Sequence, residues 1–302
     1  MHTDFRPHIS VCICTYRRNR LLQNLLQKLE PQETHGLFTY SLVVVDNDAA
    51  RSAEEIVEKF RQESALDVTY AVEPQQNIAL ARNMAVKHAK GDFIAFIDDD
   101  EFPIRDWLLQ LFRASERCAA DGALGPVLPE FDGIPPAWIK RGGFCDRPSH
   151  PTGMTIDWTQ GRTGNLLFLR EILDGVEPVF RAEFGGGGED RDFFRRMIST
   201  GRKFVWCEEA PVYEWIPPVR WKRSVMIRRA LLRGKMSLHH DQSVRGAFKS
   251  FFAVVGYGLA LPVSWILGHH WFMKFLIKGC EHAGKLLALI GINPIRQKYI
   301  LD

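Results

Sequence analysis

The feature that most constrains the fold is an alternation of short apolar runs and amphipathic segments in the first 130 residues. Four runs contain few polar residues and predict buried strands: Ile9–Cys14, Leu42–Val45, Val68–Val72 and Phe93–Ile97. The segments between them repeat apolar residues with the period of a helix. Apolar strands separated by amphipathic helices predict an α/β fold, with a mostly parallel sheet and helices on both faces.

Polar residues follow three of these strands directly. The three segments are Thr15–Arg18, Asp46–Asp48 and Asp98–Glu101. The carboxyl ends of parallel strands meet at one edge of a sheet, and open α/β sheets bind ligands at that edge. The pattern therefore favours nucleotide binding there.

The run Asp98-Asp99-Asp100 is the first candidate for chemistry. Three adjacent carboxylates repel one another, so a fold that keeps them together needs a compensating charge. A hard divalent cation supplies that charge and leaves coordination positions open for a diphosphate. A solvated acidic loop is the alternative interpretation of the same three residues.

A run of four glycines, 185–188, leads into Glu189 and Asp190. No Gly-Lys-Ser/Thr follows, so the run is not a phosphate-binding P-loop, and the glycines are expected to turn the backbone tightly beside a ligand. The start of a helix stabilises an ionised carboxylate, which suits a general base. Favourable interaction with the helix dipole alone explains the two acids equally well.

Five motifs in this order resemble the inverting glycosyltransferases of family 2, which have the GT-A fold. They are Cys14–Arg18, Val44–Asp48, Asn77–Asn83, Asp98–Glu101 and Gly187–Phe193. Within that family the sequence is most similar to the glucosyltransferases of bacterial exopolysaccharide synthesis, of the succinoglycan type. The resemblance extends over residues 8–240.

The resemblance implies a role for each matching residue. Asp46 would accept the N3–H of a uracil, which favours a UDP-linked donor, and Asp100 would ligate Mn²⁺ or Mg²⁺. Glu214 stands where the family often has a histidine, so it is a second candidate metal ligand. Asp190 would be the general base, and Glu189 would contact the acceptor or the sugar. Nucleotide-sugar binding is further implied for Thr15, Tyr16, Arg18, Arg82, Asp98, Asp99, Arg220, Arg228 and Arg229.

The implied reaction is the transfer of a hexose from a nucleotide-sugar to an acceptor hydroxyl, with inversion at the anomeric carbon. A divalent metal and arginines would stabilise the departing diphosphate. The expected acceptor is a lipid-linked oligosaccharide in the synthesis of a bacterial surface polysaccharide or exopolysaccharide.

Two other classes of protein remain as alternatives. A nucleotidyltransferase of related sheet architecture would need a Gly-rich loop with a lysine near the N-terminus, and Ile13–Arg20 contains no glycine. A non-catalytic protein that binds nucleotide-sugar, carbohydrate or nucleic acid would leave Asp98–Asp100 and Asp190 without a role. Nucleic acid is not an expected partner, because the aromatic and basic residues do not alternate as in single-strand binders.

Composition predicts a division into a transferase domain, residues 1–214, and a helical tail, residues 215–302. The tail contains 14 Lys and Arg against 3 Asp and Glu, a net charge of +11, whereas residues 1–214 have a net charge of −8. A basic, Trp-rich tail favours an anionic phospholipid surface. The N-terminus has no signal-peptide pattern, and the six scattered cysteines are expected to be reduced. The expected location is the cytoplasmic face of the bacterial inner membrane.

The tail contains 24 consecutive residues, 250–273, without Asp, Glu, Lys or Arg. Its most apolar part, Phe251–Leu267, approaches the length of a membrane span, but Gly256, Gly258 and Pro262 are expected to break it. A buried helical appendage, an interfacial or re-entrant membrane element, and a true span are all compatible with this pattern.

Overall fold

The structure is a computed structural model that describes residues 6–238, 243–293 and 295. Within these residues the chain forms ten strands: β1 His8–Thr15, β2 Thr39–Asp46, β3 Val68–Val72, β4 Phe93–Asp98, β5 Glu101–Pro103, β6 Gly122–Leu124, β7 Val127–Phe131, β8 Asn165–Leu169, β9 Phe204–Trp206 and β10 Val212–Ile216. The same residues form nine α-helices: α1 Asn19–Leu29, α2 Glu54–Glu63, α3 Ile78–His88, α4 Trp107–Arg117, α5 Ala137–Gly142, α6 Glu189–Ser199, α7 Arg223–Ser237, α8 Val244–Leu267 and α9 His269–Leu289.

Seven strands form the central sheet, in the order β3-β2-β1-β4-β8-β6-β9. Only β8 runs against its neighbours, β4 and β6, and the other paired strands are parallel. The predicted mostly parallel sheet is therefore confirmed. A smaller sheet has the order β5-β10-β7.

Both faces of the central sheet are covered, as the apolar strands require. Side chains alternate along β1, so Ile9, Val11 and Ile13 pack with α1, α2 and α4 on one face. Cys12 and Cys14 point to the opposite face, where residues of α3 and α6 cover them. All six cysteines are free thiols.

The short strands β5, β6 and β7 and the helix α5 are not marked by any pattern in the sequence. The strands β5 and β6 have three residues each, too few for a periodic pattern, and β5 begins with a charged residue, Glu101. Tertiary pairing with β10 gives β5 its strand conformation. Helix α5 lies in a segment that is rich in Pro, Gly and Trp and has no helical periodicity. It begins after Pro136 and is capped at its C-terminus by Gly143, whose φ of 56° favours glycine.

The chain divides into two compact units. The first contains the chain up to Leu128, followed by Arg147–Gly185 and Glu189–Trp215. The second contains Pro129–Asp146, Gly186–Gly188 and the chain from Ile216 onwards. The boundary between Trp215 and Ile216 lies one residue after the domain boundary expected from composition. The second unit also includes two segments from earlier in the chain.

The second unit is mainly helical, and α9 packs against both α7 and α8. Glycines allow α7 and α9 to approach closely, because a Cβ added at Gly234 would lie 1.9 Å from the carbonyl oxygen of Glu281. The side-chain carboxylate of Glu281 forms ion pairs with Arg233 at 2.9 Å and with Lys278 at 2.8 Å.

Helix α8 is continuous over its 24 residues, with Pro262 inside it. The expected break at Gly256, Gly258 and Pro262 is therefore wrong. One proline removes a single helical hydrogen bond, and the packing of α8 along α9 stabilises the rest of the helix. By length and composition α8 qualifies as a candidate membrane span, and 11% of its most apolar window is buried.

Candidate active site

Three predicted site residues end neighbouring strands of the central sheet. Thr15 on β1 lies opposite Asp46 on β2, and Cys14 lies opposite Asp98 on β4. Thr15, Asp46 and Asp98 therefore share the edge of the sheet that the sequence predicts as the ligand-binding edge.

The loop after β1 holds two carboxylates of the acidic run. The Thr15 hydroxyl donates to Asp99 at 2.8 Å, and the Arg18 guanidinium donates to Asp99 at 2.9 Å and to Asp100 at 3.2 Å. Asp99 and Asp100 are buried. Burial raises the pKa of Asp99 to about 6, while the positive charge of Arg18 opposes the shift. The sequence signal for these residues was their position after β1 and β4.

Arg82 connects the acidic run to the start of α6. This buried residue of α3 donates to Asp98 at 3.3 Å and forms a second hydrogen-bonded ion pair with Glu189. Asp190 also adds to the negative potential at Arg82. The two groups of acids that the sequence singles out therefore lie within reach of one guanidinium. The predicted approach of Arg82 to the nucleotide remains a prediction.

Glu189 and Asp190 begin α6 but differ in environment. Glu189 is buried, and its Oε2 has no hydrogen-bond partner within the described residues. Burial raises the pKa of Glu189 to about 7, although Arg82 lowers it. Asp190 is only partly buried, and its Oδ1 accepts a hydrogen bond from the backbone N–H of Arg191 at 2.7 Å. Asp190 is therefore the more accessible carboxylate for a substrate hydroxyl.

The turn before α6 requires glycine at particular positions. Gly187 and Gly188 have φ values of 125° and 95°, which residues with a Cβ rarely adopt. A Cβ at Gly185 would lie 2.1 Å from the side chain of Asn77. Asn77 caps α3 by accepting from two backbone N–H groups, and its amide donates to the carbonyl of Ala182 at 2.9 Å. Asn77 thus fixes the chain that leads to Glu189.

Sequence reasoning assigned no role to Arg147 and Glu101. Glu101 and Glu214 face each other in the pairing of β5 with β10. Arg147 donates to Glu214 and lies 3.9 Å from Glu101, whose pKa is raised by burial. No local pattern marks Arg147, which lies in a segment without periodicity. The requirement that buried acids meet a cation was the available signal.

Asp46 is fully buried, and its carboxylate already accepts three hydrogen bonds. The donors are the backbone N–H groups of Asp48 at 3.0 Å and Ala53 at 2.7 Å, and the Tyr70 hydroxyl at 3.0 Å. Asp46 therefore holds the loop after β2 in shape. Its expected contact with a uracil remains a prediction.

The remaining predicted nucleotide-binding residues lie in two places. Tyr16 follows β1, and the guanidinium carbon of Arg17 lies 5.2 Å from the centre of its ring. Arg220 lies on a 3₁₀ turn, Pro218–Trp221, and Arg228 and Arg229 lie on α7. These three arginines belong to the second unit, and their interaction with a diphosphate remains a prediction.

The acidic residues at this edge of the sheet are candidate ligands for a divalent metal. Carboxylate oxygens are the ligands that Mn²⁺ and Mg²⁺ prefer, so the chemistry of the donor set fits such an ion. Among the described residues, no three acidic, His or Cys side chains are arranged as a ready metal site. Arginines hold several of these acids in the present arrangement. The acids concerned are Asp98, Asp99, Asp100, Glu101 and Glu214.

Comparisons with known proteins agree with this architecture. Residues 10–173 match the model of the family described as glycosyl transferase family 2. The chain is 30% identical over 302 residues to the succinoglycan biosynthesis protein ExoM of Rhizobium meliloti (strain 1021), covering 96% of this chain and 95% of that protein.

Two solved structures share the fold. One is the mannosyltransferase PcManGT from Pyrobaculum calidifontis in complex with GDP-Man and Mn²⁺, with a TM-score of 0.65, 16% identity, and coverage of 95% and 88%. The other is Staphylococcus aureus TarS 1–349 in complex with UDP-GlcNAc, with a TM-score of 0.54, 16% identity, and coverage of 95% and 93%. Together with the match to the family and to a relative of full length, the fold and the acidic edge of the sheet show that the chain belongs to glycosyltransferase family 2.

Proposed function

We propose that this glycosyltransferase moves a hexose from a UDP-linked donor to a lipid-linked oligosaccharide, with inversion, in the synthesis of a bacterial surface polysaccharide or exopolysaccharide. The observation that carries the proposal is Arg82, which brings the acidic run after β4 and the acids of α6 to one site. The relative ExoM, named for succinoglycan biosynthesis, supports the class of product.

Asp190 is proposed as the general base. Its carboxylate is partly exposed at the start of α6, where the helix dipole favours the ionised form. It would take the proton from the acceptor hydroxyl as that oxygen attacks the anomeric carbon from the face opposite the leaving group. The single displacement inverts the configuration. Glu189, held by Arg82, would contact the acceptor or the sugar.

The donor is proposed to lie along the edge formed by β1, β2 and β4. Thr15, Tyr16, Arg18 and Asp46 would line the base and ribose, and Asp98 and Asp99 would hold the ribose hydroxyls. To bind the nucleotide, Thr15 and Arg18 would give up some of the hydrogen bonds that they now donate to Asp99. The structures of TarS with UDP-GlcNAc and PcManGT with GDP-Man support nucleotide-sugar as the donor class.

Asp100 and Glu214 are proposed to hold Mn²⁺ or Mg²⁺, with Arg220, Arg228 and Arg229 beside the departing diphosphate. When bound, the cation would neutralise charge that develops on the leaving phosphate oxygens. Glu214 is at present paired with Arg147. Glu214 would therefore leave its ion pair with Arg147 when it binds the metal.

Association with a membrane surface is proposed for the second unit. Most large apolar side chains of α8 are exposed, among them Phe252 at 67%, Leu259 at 77% and Ile266 at 84%. The buried residues of α8 are small, and one of them, Ser250, lies 3.2 Å from the ring nitrogen of His282 on α9. A helix paired along its length with a charged partner suits placement in the membrane plane better than a span.

Titration calorimetry with UDP and Mn²⁺ tests the donor proposal. Binding that requires the metal, and that weakens on the order of 100-fold in Asp100→Ala, is expected because Asp100 would hold a cation that neutralises the charge of the diphosphate. Release of nucleoside diphosphate from a panel of nucleotide-sugars would then identify the sugar. Metal-independent UDP binding by the wild-type protein, or RNA binding without nucleotide affinity, would contradict the proposal.

A further inference from the structure

The first unit contains a cavity of about 240 Å³ that the proposed catalytic residues do not explain. Its wall includes Arg147, His150, Thr159, Arg162 and Trp206. A volume of this size is sufficient for a phosphate group or one sugar ring.

Most polar groups on this wall already have partners inside the protein. The Asn165 amide donates to the carbonyls of Pro126 at 3.0 Å and Ala210 at 2.8 Å. Gln160 and His150 are joined by a hydrogen bond of 3.0 Å. These hydrogen bonds fix the wall and leave Asn165, Gln160 and His150 little capacity to bind a ligand.

The two arginines of the wall differ sharply. Arg147 is paired with Glu214 and lies 3.9 Å from Glu101. Arg162 is partly buried, and no ion pair or side-chain hydrogen bond involves its guanidinium in the part of the chain that the structure describes. An unpaired cation removed from water is costly, so a site that retains one is suited to an anion.

Arg162 lines the cavity together with Arg147, whose guanidinium is paired with Glu214. Burial and the neighbouring Arg147 lower the pKa of Arg162, and the negative charges of Asp190 and Glu214 oppose that shift. Asp190 is the proposed base, and Glu214 is a proposed metal ligand. An anion bound by Arg162 would thus lie within the electrostatic reach of these two proposed residues.

We infer that Arg162, with Arg147 at its side, forms an oxyanion-binding subsite for a phosphate or carboxylate group of a bound substrate. A guanidinium presents paired N–H donors that match two oxygens of either group. The anion has two sources, the diphosphate of the donor or an acidic group of the acceptor. Assignment to a substrate rests on the proposed function, whereas oxyanion binding itself does not.

The test is titration calorimetry on the full-length protein with four probes: UDP with Mn²⁺, inorganic phosphate, glucuronate and glucose. The variants are Arg162→Gln, Arg162→Lys and a control, Arg105→Gln, whose side chain is 74% exposed. Binding of at least one anionic probe should weaken about tenfold or more in Arg162→Gln, because a hydrogen bond to a charged group is lost. Arg162→Lys should lie between it and the wild type, and the control should match the wild type.

The probes separate the two sources. Weaker UDP binding in Arg162→Gln would identify the donor diphosphate, and weaker glucuronate or phosphate binding with unchanged UDP binding would identify an acidic acceptor. Phosphate binding that depends on Arg162, in a protein without affinity for UDP, would support the subsite and contradict the proposed donor. Anionic probes that bind wild type and Arg162→Gln within twofold, or do not bind at all, would overturn the inference.

Stability gives a second measurement. Removal of an unpaired, partly buried charge should leave the unfolding midpoint of unliganded Arg162→Gln unchanged or raise it. A lower midpoint would indicate that Arg162 has a structural role and would contradict the inference.

Discussion

Helices α4 and α8 are both rich in large apolar side chains, but they use them in opposite ways. In α4 the large residues are buried, including Trp107, Leu108 and Phe112, and they pack on the central sheet. In α8 the buried residues are Gly246, Ser250 and Ser264, while most of the large apolar side chains are exposed.

The difference separates two tasks. The apolar surface of α4 stabilises the first unit, because burial of such surface drives folding. The outward apolar surface of α8 contributes little to the folding of the second unit and is available to another phase or partner. The proposed base lies in the first unit, so its loss should affect sugar transfer alone, and loss of the exposed apolar surface of α8 should affect membrane binding alone.

The largest expected effect is on the chemistry of the first unit. Asp190→Asn should reduce the rate of sugar transfer by about 10²–10⁴-fold, because the acceptor hydroxyl loses its base. UDP binding and binding to anionic vesicles should stay close to wild type. Radiolabelled sugar transfer, calorimetry and vesicle flotation measure the three properties. Retained turnover would move the role of base to Glu189.

Charged substitutions on the exposed surface of α8 should affect the second unit alone. Phe252→Glu combined with Leu259→Glu should weaken binding to anionic vesicles by more than about tenfold, because each buried apolar side chain contributes about 1.5–3 kcal/mol. UDP binding should not change, and the free energy of unfolding should change by less than about 0.5 kcal/mol at such exposed positions. Gln62→Glu, an exposed position on α2, is the control. Unchanged vesicle binding by the double variant would locate the membrane contact elsewhere.

Two glycines of the second unit distinguish packed from unpacked helix surface. Gly234→Ala should destabilise the protein by about 1–3 kcal/mol, because its Cβ would collide with the backbone of α9. Gly256→Ala on α8 has no neighbour within 4 Å and should stabilise the helix by less than about 1 kcal/mol. Chemical denaturation of both variants measures the contrast. Equal stabilities would mean that α7 and α9 do not pack as closely as described.

The smallest expected effect is a pH dependence of stability. The pKa of Glu189 is about 7 in the folded protein, against an ordinary value of 4.5. Between these pH values the folded state retains a proton that the unfolded state has released, so stability falls as pH rises through this window. The slope should be weaker in Glu189→Gln, because the glutamine has no proton to release in this window.

Denaturation of the wild type and Glu189→Gln at intervals from pH 4.5 to 7.5 measures this slope, with the exposed residue Glu63, changed to Gln, as control. Parallel curves for wild type and Glu189→Gln would show that burial does not disfavour the ionised form of Glu189.

Much of the fold could be predicted because its signals are local. The apolar strands and striped helices of the first 130 residues appear where the pattern expects them, and the acids lie at the expected edge. The strands β5 and β6 could not be predicted, because three residues carry no period and their conformation depends on partners distant in sequence. The continuity of α8 through Pro262 likewise depends on α9.

By itself, the sequence determined the order of strands and helices, the edge at which polar residues collect, and the family, since each follows from short motifs in a fixed order. Only the tertiary structure decided which acidic and basic side chains form ion pairs. Arg82 and Glu189 are 107 positions apart, and Arg147 and Glu214 are 67 apart. The tertiary structure also left Arg162 without an acidic partner among the described residues. Charges interact through distance in space, and distance in space between remote residues is set by the packing of the sheet and its helices.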